Sequence, residues 1–284
     1  EGLYTYKWGL YSAGHANLDV TKDDPNESII REREEGTFML GDSGGFQILK
    51  CQWPADWKDP NCPRAMKKRK EVLTWMDTYM DYGMCLDIPS QSLTTYHIKD
   101  PKTGKSAHGI STIEEAIAAT HINNEYFIKN RNGNCKFLNV LQGGNNVDAE
   151  IWYEAVKHYP FEGWAFGGAN MCRMVVTLKR IMTLREDGLL KDKNWIHFLG
   201  TAQLDWACFL TSIQRQIRKH INENLTISFD CASPFIATAN GLVYTNAQHT
   251  TKRWAVIMDK APDNKALAGR DIPFPFESET GRRL

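Results

Sequence analysis

The sequence is short of three things, and each shortage excludes a class of protein. No run of about 18 uninterrupted apolar residues occurs, so no helix is expected to cross a membrane. No C-x-x-C pair occurs either. The seven cysteines (51, 62, 85, 135, 172, 208 and 231) are scattered and odd in number, which fits a reducing cytoplasm better than a disulfide framework. Cys51 and Cys62 are close enough in sequence to pair or share a metal, but neither is expected. The third shortage is net charge, because 34 basic residues balance 34 acidic ones. The chain as a whole is no polycation, so any grip on nucleic acid must come from local patches. The opening EGLYTYKWGL has no basic n-region and is not expected to be a signal peptide. Beginning on Glu1, it reads as a chain whose first residues are missing or removed.

Apolar residues make up 42% of the 284, enough for a large core, and α/β barrels of this length are commonly one domain. One unit recurs along the chain. A short apolar, β-rich run ends in glycine or an acid, and an amphipathic stretch usually follows. The runs are TFMLGDSGG (37–45), YGMCLDIPS (82–90), KFLNVLQGG (136–144), GWAFGGAN (163–170), WIHFLGTAQ (195–203) and TISFDCASP (226–234). Near-continuous apolar strands alternating with helices imply a parallel sheet covered on both faces.

The helical stretches fit that pattern. In 148–158, Ile151, Trp152, Ala155 and Val156 share a face, and in 204–221 Leu204, Trp206, Phe209, Leu210, Ile213 and Ile217 form a broader stripe. Ser111-x-x-Glu114 reads as a capping box, and Gly188 as a helix C-cap. Six units, with room for one more at each end, predict an α/β fold of the (β/α)8 TIM-barrel type, spanning 1–284 as a single domain. A doubly wound open sheet is the alternative. In both, ligands sit at the C-terminal ends of the strands.

Two segments break the rhythm and are read as insertions at that face. Residues 51–70 are rich in Pro and Trp and end in a basic run of Arg64, Lys67, Lys68, Arg69 and Lys70. Residues 91–110 contain an Asp-Pro-Lys-Thr-Gly-Lys turn. His97 and His108, eleven residues apart, are expected at the surface of this loop.

The string Gly-Asp-Ser-Gly-Gly at 41–45 also surrounds the nucleophile of trypsin-like proteases. Chain order rules that reading out. Ser43 has only 42 residues before it, with His15 their one histidine, where that family needs a His and an Asp on a barrel ahead of its serine. Set beside the other strand tails, the string instead contributes an acid to a mouth holding Asp42, Asp87, Gln142 with Gly143 and Gly144, Gly167 with Gly168, and Asp230. Gly pairs admit close approach to the backbone. A carboxylate such as Asp87 can accept two N–H bonds from an amidine edge of the guanine type, while Gln142 and the amides near Gly168 can meet a carbonyl. Asp42 and Asp230 could then divide the work at a glycosidic carbon, one as nucleophile and one as acid/base.

Taken in order, DSGGFQ, LQGG, GWAFGGA, FLG and FDCASP resemble the tRNA-guanine transglycosylase family, over residues 37 to 241. The resemblance implies a barrel that exchanges guanine in nucleic acid for a free 7-deazaguanine base. It implies Asp230 as nucleophile, Asp42 as acid/base and Asp87 as purine reader. Ser43, Gln142, Gly143, Gly167 and Gly168 would line the base pocket, and Gln47 would buttress the loop. No organic cofactor and no catalytic metal are implied. Two departures stand out. The family's C-x-C-x2-C zinc run is missing, since Cys231 is the last cysteine here, and the arginines of its PTR-x-AR-x-G tail are replaced in SPFIATANG.

These departures are closer to the zinc-lacking, DNA-modifying branch, which includes phage enzymes. The expected partner is therefore DNA, with tRNA as the alternative, in the cytoplasm (of a bacterial host if phage-encoded). Arg64, Lys67, Lys68, Arg69 and Lys70, with Lys99, Lys102 and Lys105, would hold phosphates, and Trp53 or Trp57 would stack on bases. The rival functions are a deazaguanine nucleosidase and a non-catalytic binding subunit. Oligomeric state is not legible in the sequence.

Overall fold

The computed structural model describes residues 7–93, 108–168, 173–201, 203–251, 254–261 and 269–270. Seven strands form one parallel sheet: β1 (Trp8–Ser12), β2 (Phe38–Asp42), β3 (Tyr82–Met84), β4 (Lys136–Leu141), β5 (Gly163–Phe166), β6 (Trp195–Phe198) and β7 (Thr226–Phe229). Each strand pairs with its neighbour in sequence, in the order β1 to β7. That sequential order excludes the doubly wound alternative, whose strand order reverses at a switch point. Six strands fall within the six apolar runs, and β1 fills the place expected at the N-terminal end.

The connections carry helices: α1 (Ser28–Arg31), α2 (Gly45–Leu49), α3 (Pro63–Tyr79), α4 (Ile113–Asn130), α5 (Asn146–Val156), α6 (Met174–Glu186) and α7 (Leu204–His220). After β7 come α8 (Ser233–Ala239) and an antiparallel hairpin of β8 (Leu242–His249) and β9 (Trp254–Lys260). Of the stretch of sequence expected to supply an eighth barrel strand, the described residues form a hairpin that pairs with itself. Two compact units result, one of Trp8–Cys231 and one of Glu1–Lys7 with Ala232–Leu284.

The sheet curls into a half-barrel. Phe38 begins β2 and Trp195 begins β6, four strands away, a separation of about 19 Å in a flat sheet. Their rings stack with centroids 4.8 Å apart. Tyr82 at the start of β3 lies 5.4 Å from Trp195, and Trp8 at the start of β1 lies 6.1 Å from it. Four aromatic first residues therefore plug the N-terminal mouth of the curl, on the far side from the acids.

Local chemistry sets the helix ends. Gly188 has φ +75°, and the amides of Gly188 and Leu189 return to the carbonyls of Arg185 and Leu184, a Schellman close to α6 as the glycine predicts. The capping box lies one residue later than expected. Thr112 Oγ1 accepts from the Glu115 amide, and Glu115 Oε2 accepts from the Ser111 amide.

On α5 the buried face is Ala149, Trp152, Tyr153 and Val156, whereas Ile151 is 41% exposed. Positions spaced three, four and seven apart share a helix face, and Ile151 falls outside that set. On α7 the buried stripe is Trp206, Leu210, Ile213 and Ile217, with Leu204 and Phe209 half-buried beside it.

The first insertion is not loop throughout. Pro63 supplies the first turn of α3, and the basic run that follows is helical. The polar residue His108 also differs from expectation. It is fully buried, with Nδ1 accepting from the Ile110 amide. His97 lies outside the described residues. Cys51 and Cys62 are both free thiols.

Candidate active site at the C-terminal strand ends

All three acids sit where the parallel strands end. Asp42 is the last residue of β2, Asp87 follows β3 by three residues, and Asp230 follows β7 directly. Curling of the sheet brings these ends together. Gly45 lies against Asp87, so close that a Cβ there would stand 2.9 Å from the Asp87 carbonyl oxygen and 3.3 Å from its Oδ1. Gly44 takes the left-handed conformation (φ +81°) that turns the chain from β2 into α2. These two glycines are what allow the β2 loop to fold onto the β3 loop.

Asp42 accepts a 2.6 Å bond from Ser12 Oγ on the neighbouring strand and another from the Gly44 amide. Part of its surface reaches solvent, but protein atoms surround it densely. Loss of hydration is the largest influence on its carboxyl and raises it above the ordinary aspartate range. The Ser12 and Gly44 bonds oppose that rise, the Asp230 charge adds to it, and His197 lowers it slightly.

Asp87 is buried, and its Oδ2 accepts a 2.9 Å bond from Gln142 Nε2. Desolvation pushes its carboxyl up to about 7, against the Gln142 bond and with help from the Asp42 charge. Gln142 is buried too, and its Oε1 has no hydrogen-bond partner among the described residues. Gly167 leaves the space this amide occupies, since a Cβ there would stand 2.6 Å from Gln142 Nε2. Gly167→Ala is accordingly expected to displace Gln142 from Asp87, at a cost of about 1 kcal/mol of folding stability, the worth of one such bond. Urea unfolding checks it.

Among the described residues Asp230 is held through one oxygen. Its Oδ1 accepts from His197 Nε2 at 3.0 Å and from the Gly200 amide at 3.1 Å. Its Oδ2 accepts no hydrogen bond among the described residues, which leaves that oxygen free to react. The His197 tautomer follows from the network. A carboxylate only accepts, so Nε2 carries the hydrogen. Trp195 Nε1 donates to Ser228 Oγ at 2.7 Å, and in the neutral imidazole that hydroxyl gives its own hydrogen to His197 Nδ1, also at 2.7 Å.

A relay of bonds thus runs from the aromatic plug through Ser228 and His197 to Asp230. Ser228→Ala removes the partner of two donors or acceptors at once. The expected loss is about 2 kcal/mol of folding stability, read by urea unfolding.

Ser12, His197 and Ser228 were not singled out by the sequence reading. A signal for two of them exists. A histidine inside the apolar run WIHF needs a polar neighbour, and β7 offers Ser228 in register with it and Asp230 two residues on.

The other expected residues fall as follows. Ser43 is buried next to Asp42. Gln47 is buried and packs over Gly14, so it braces the β1 loop. Gly143 lies against the backbone of α5, where a Cβ would stand 2.6 Å from Ala149 Cα. Gly168 (φ +79°) is the last described residue before 169–172.

Of the basic run, Arg64, Lys67 and Lys70 are exposed and Lys68 is half-buried. Arg69 is 1% exposed, with Nε bonded to Asn123 Oδ1 and one terminal nitrogen to the Trp57 carbonyl. It is not a phosphate ligand. Five residues at 100° each place it about 140° round α3 from Arg64, on the core side. Trp57 is fully buried as well and is not a stacking platform. Lys99, Lys102 and Lys105 lie outside the described residues.

Among the described residues no group of three or more His, Cys, Asp and Glu has the arrangement of a metal site, and no helix is long and apolar enough to cross a membrane. The fold and site define a class: a curled parallel α/β sheet with three carboxylates in different environments at its C-terminal mouth. The chain matches no family model and no curated protein.

Proposed function

We propose that the chain is a base-exchange glycosyltransferase, replacing guanine in DNA with a free 7-deazaguanine base through a covalent Asp230-glycosyl intermediate. The observation that carries this reading is the division of labour among the acids. Asp230 has one oxygen tied and one free, Asp42 is held toward its protonated form, and Asp87 pairs with Gln142 beside a small-residue wall.

In the first half-reaction the free oxygen of Asp230 attacks the sugar C1′. The C1′–N9 bond breaks, its electron pair leaves on guanine, and the Asp42 proton neutralises the departing base. In the second half the incoming base gives its N9 proton to Asp42, attacks C1′ and releases the Asp230 carboxylate. Two inversions retain the sugar configuration. The leaving base needs protonation, which Asp42 supplies, and the guanine must leave its stack to reach this depth, at a cost of a few kcal/mol.

DNA is preferred to tRNA because the sequence has no C-x-C-x2-C run and no arginines in SPFIATANG. Kinship of the half-barrel with TIM-type barrels belongs to the same reading, supported by the sequential parallel order and the curl.

The test offers labelled 7-deazaguanine base to duplex DNA, single-stranded DNA and tRNA in parallel. Label entering DNA is the expected result. Label entering tRNA alone would move the polymer assignment, and label in no polymer would overturn base exchange.

A further inference from the structure

The basic run that begins the long helix α3 faces an open cavity of about 330 Å³, near the lower end of the range for ligand pockets. Arg64, Lys67, Lys68 and Glu71 line it from the helix, at the three- and four-residue spacings of a single face. Trp53 and the buried Trp57 line it from the preceding loop. Three cations therefore stand against one carboxylate on a chain whose total charge is zero.

Lys68 Nζ lies 4.9 Å from the centre of the Trp53 ring and 2.7 Å from Glu71 Oε2. Lys67 Nζ lies 3.7 Å from Glu71 Oε1. The cavity adjoins the acids through Trp53. Its ring fits against Gly44, where a Cβ would stand 2.5 Å from ring atom Cη2. Gly44 is the residue whose amide binds Asp42.

We infer that this groove is a subsite for one nucleotide flanking the target, with its base on the open part of the Trp53 ring and its phosphate on Arg64 and Lys67. The inference rests on the base-exchange reading for its polymer, and it adds where that polymer is gripped. Aromatic stacking beside a positively charged groove is how single strands are held without reading their sequence. Glu71 acts here as a brake, occupying Lys67 and Lys68 until a phosphate competes for them.

The test is fluorescence anisotropy with a labelled single-stranded DNA oligonucleotide at several salt concentrations, using the full chain. Arg64→Ala with Lys67→Ala, both exposed on a helix, is expected to weaken binding. It should also flatten the dependence of log K on log salt by about 0.7 for each cation removed. Trp53→Ala should weaken binding about tenfold with the salt slope unchanged, and Trp53→Phe should recover most of that loss. Glu71→Gln should tighten binding and steepen the slope, which a purely structural role for Glu71 does not predict.

An unchanged affinity and slope in the double variant would overturn the subsite. So would a free nucleoside monophosphate binding as tightly as the oligonucleotide with the same dependence on these residues, since that assigns the groove to a small ligand. Losses as described, in a protein that exchanges no base into any polymer, would leave the subsite standing and remove the base-exchange reading instead.

Discussion

Asp230→Asn is expected to abolish base exchange, with a loss on the order of 10⁶, the scale seen when a covalent nucleophile is removed. The substitution is nearly isosteric. An asparagine Oδ1 still accepts from His197 Nε2 and the Gly200 amide, where Asp230 Oδ1 accepts at 3.0 and 3.1 Å, so the fold and the placement of the side chain are kept. What disappears is the anionic second oxygen.

Asp42→Asn should cost less, about 10²–10⁴, because it removes proton transfer and leaves the nucleophile in place. Mass spectrometry of the wild-type protein with substrate DNA and no incoming base should show a protein–DNA adduct, absent in Asp230→Asn. An Asp230→Asn protein that exchanges bases at the wild-type rate would end the covalent mechanism.

The second large effect is one of pH, through Asp87. To accept the two N–H groups of a guanine edge its carboxyl must be ionised, yet burial has pushed it up to about 7. Below that value base affinity should fall about tenfold for each pH unit, and above it should level off, with a proton released on binding at lower pH. Asp87→Asn should abolish the pH dependence. It should also weaken guanine at least a hundredfold, since two hydrogen bonds to a charged acceptor are lost.

Stability should move in the opposite sense. Between about pH 4 and 7 the folded chain keeps a proton that the unfolded chain has lost, so stability declines as pH rises through that window. The accumulated penalty is about 4 kcal/mol, three units at 1.36 kcal/mol each. Asp87→Asn should therefore match the wild type near about pH 4 and exceed its stability near about pH 8 by roughly that amount. Urea unfolding at the two pH values, with calorimetric titration of guanine, measures both halves. Guanine affinity that does not change with pH would remove Asp87 from the purine-reading role.

Much of this was written in the chain itself. Alternating β-rich runs and helical stretches announce a parallel α/β sheet, because strands covered on both faces must be apolar throughout. The acids at the run ends could be named for the same reason, since a polar residue closing such a run lies at the rim. Asp42, Asp87, Gln142 and Asp230 all lie there.

What the sequence could not specify was contact across the curl. The relay from Trp195 through Ser228 and His197 to Asp230 spans two strands more than thirty residues apart. The serine that holds Asp42 comes from β1, thirty residues earlier. Burial likewise depended on helix phase. Arg69 sits in a run of cations that reads as solvated, and only the angle of α3 against the core turns it inward to Asn123. Local pattern determined which residues are strands, helices and strand ends. The partner of each polar group, and the protonation that follows from it, was decided by the tertiary structure, because desolvation and hydrogen bonding act through space rather than along the chain.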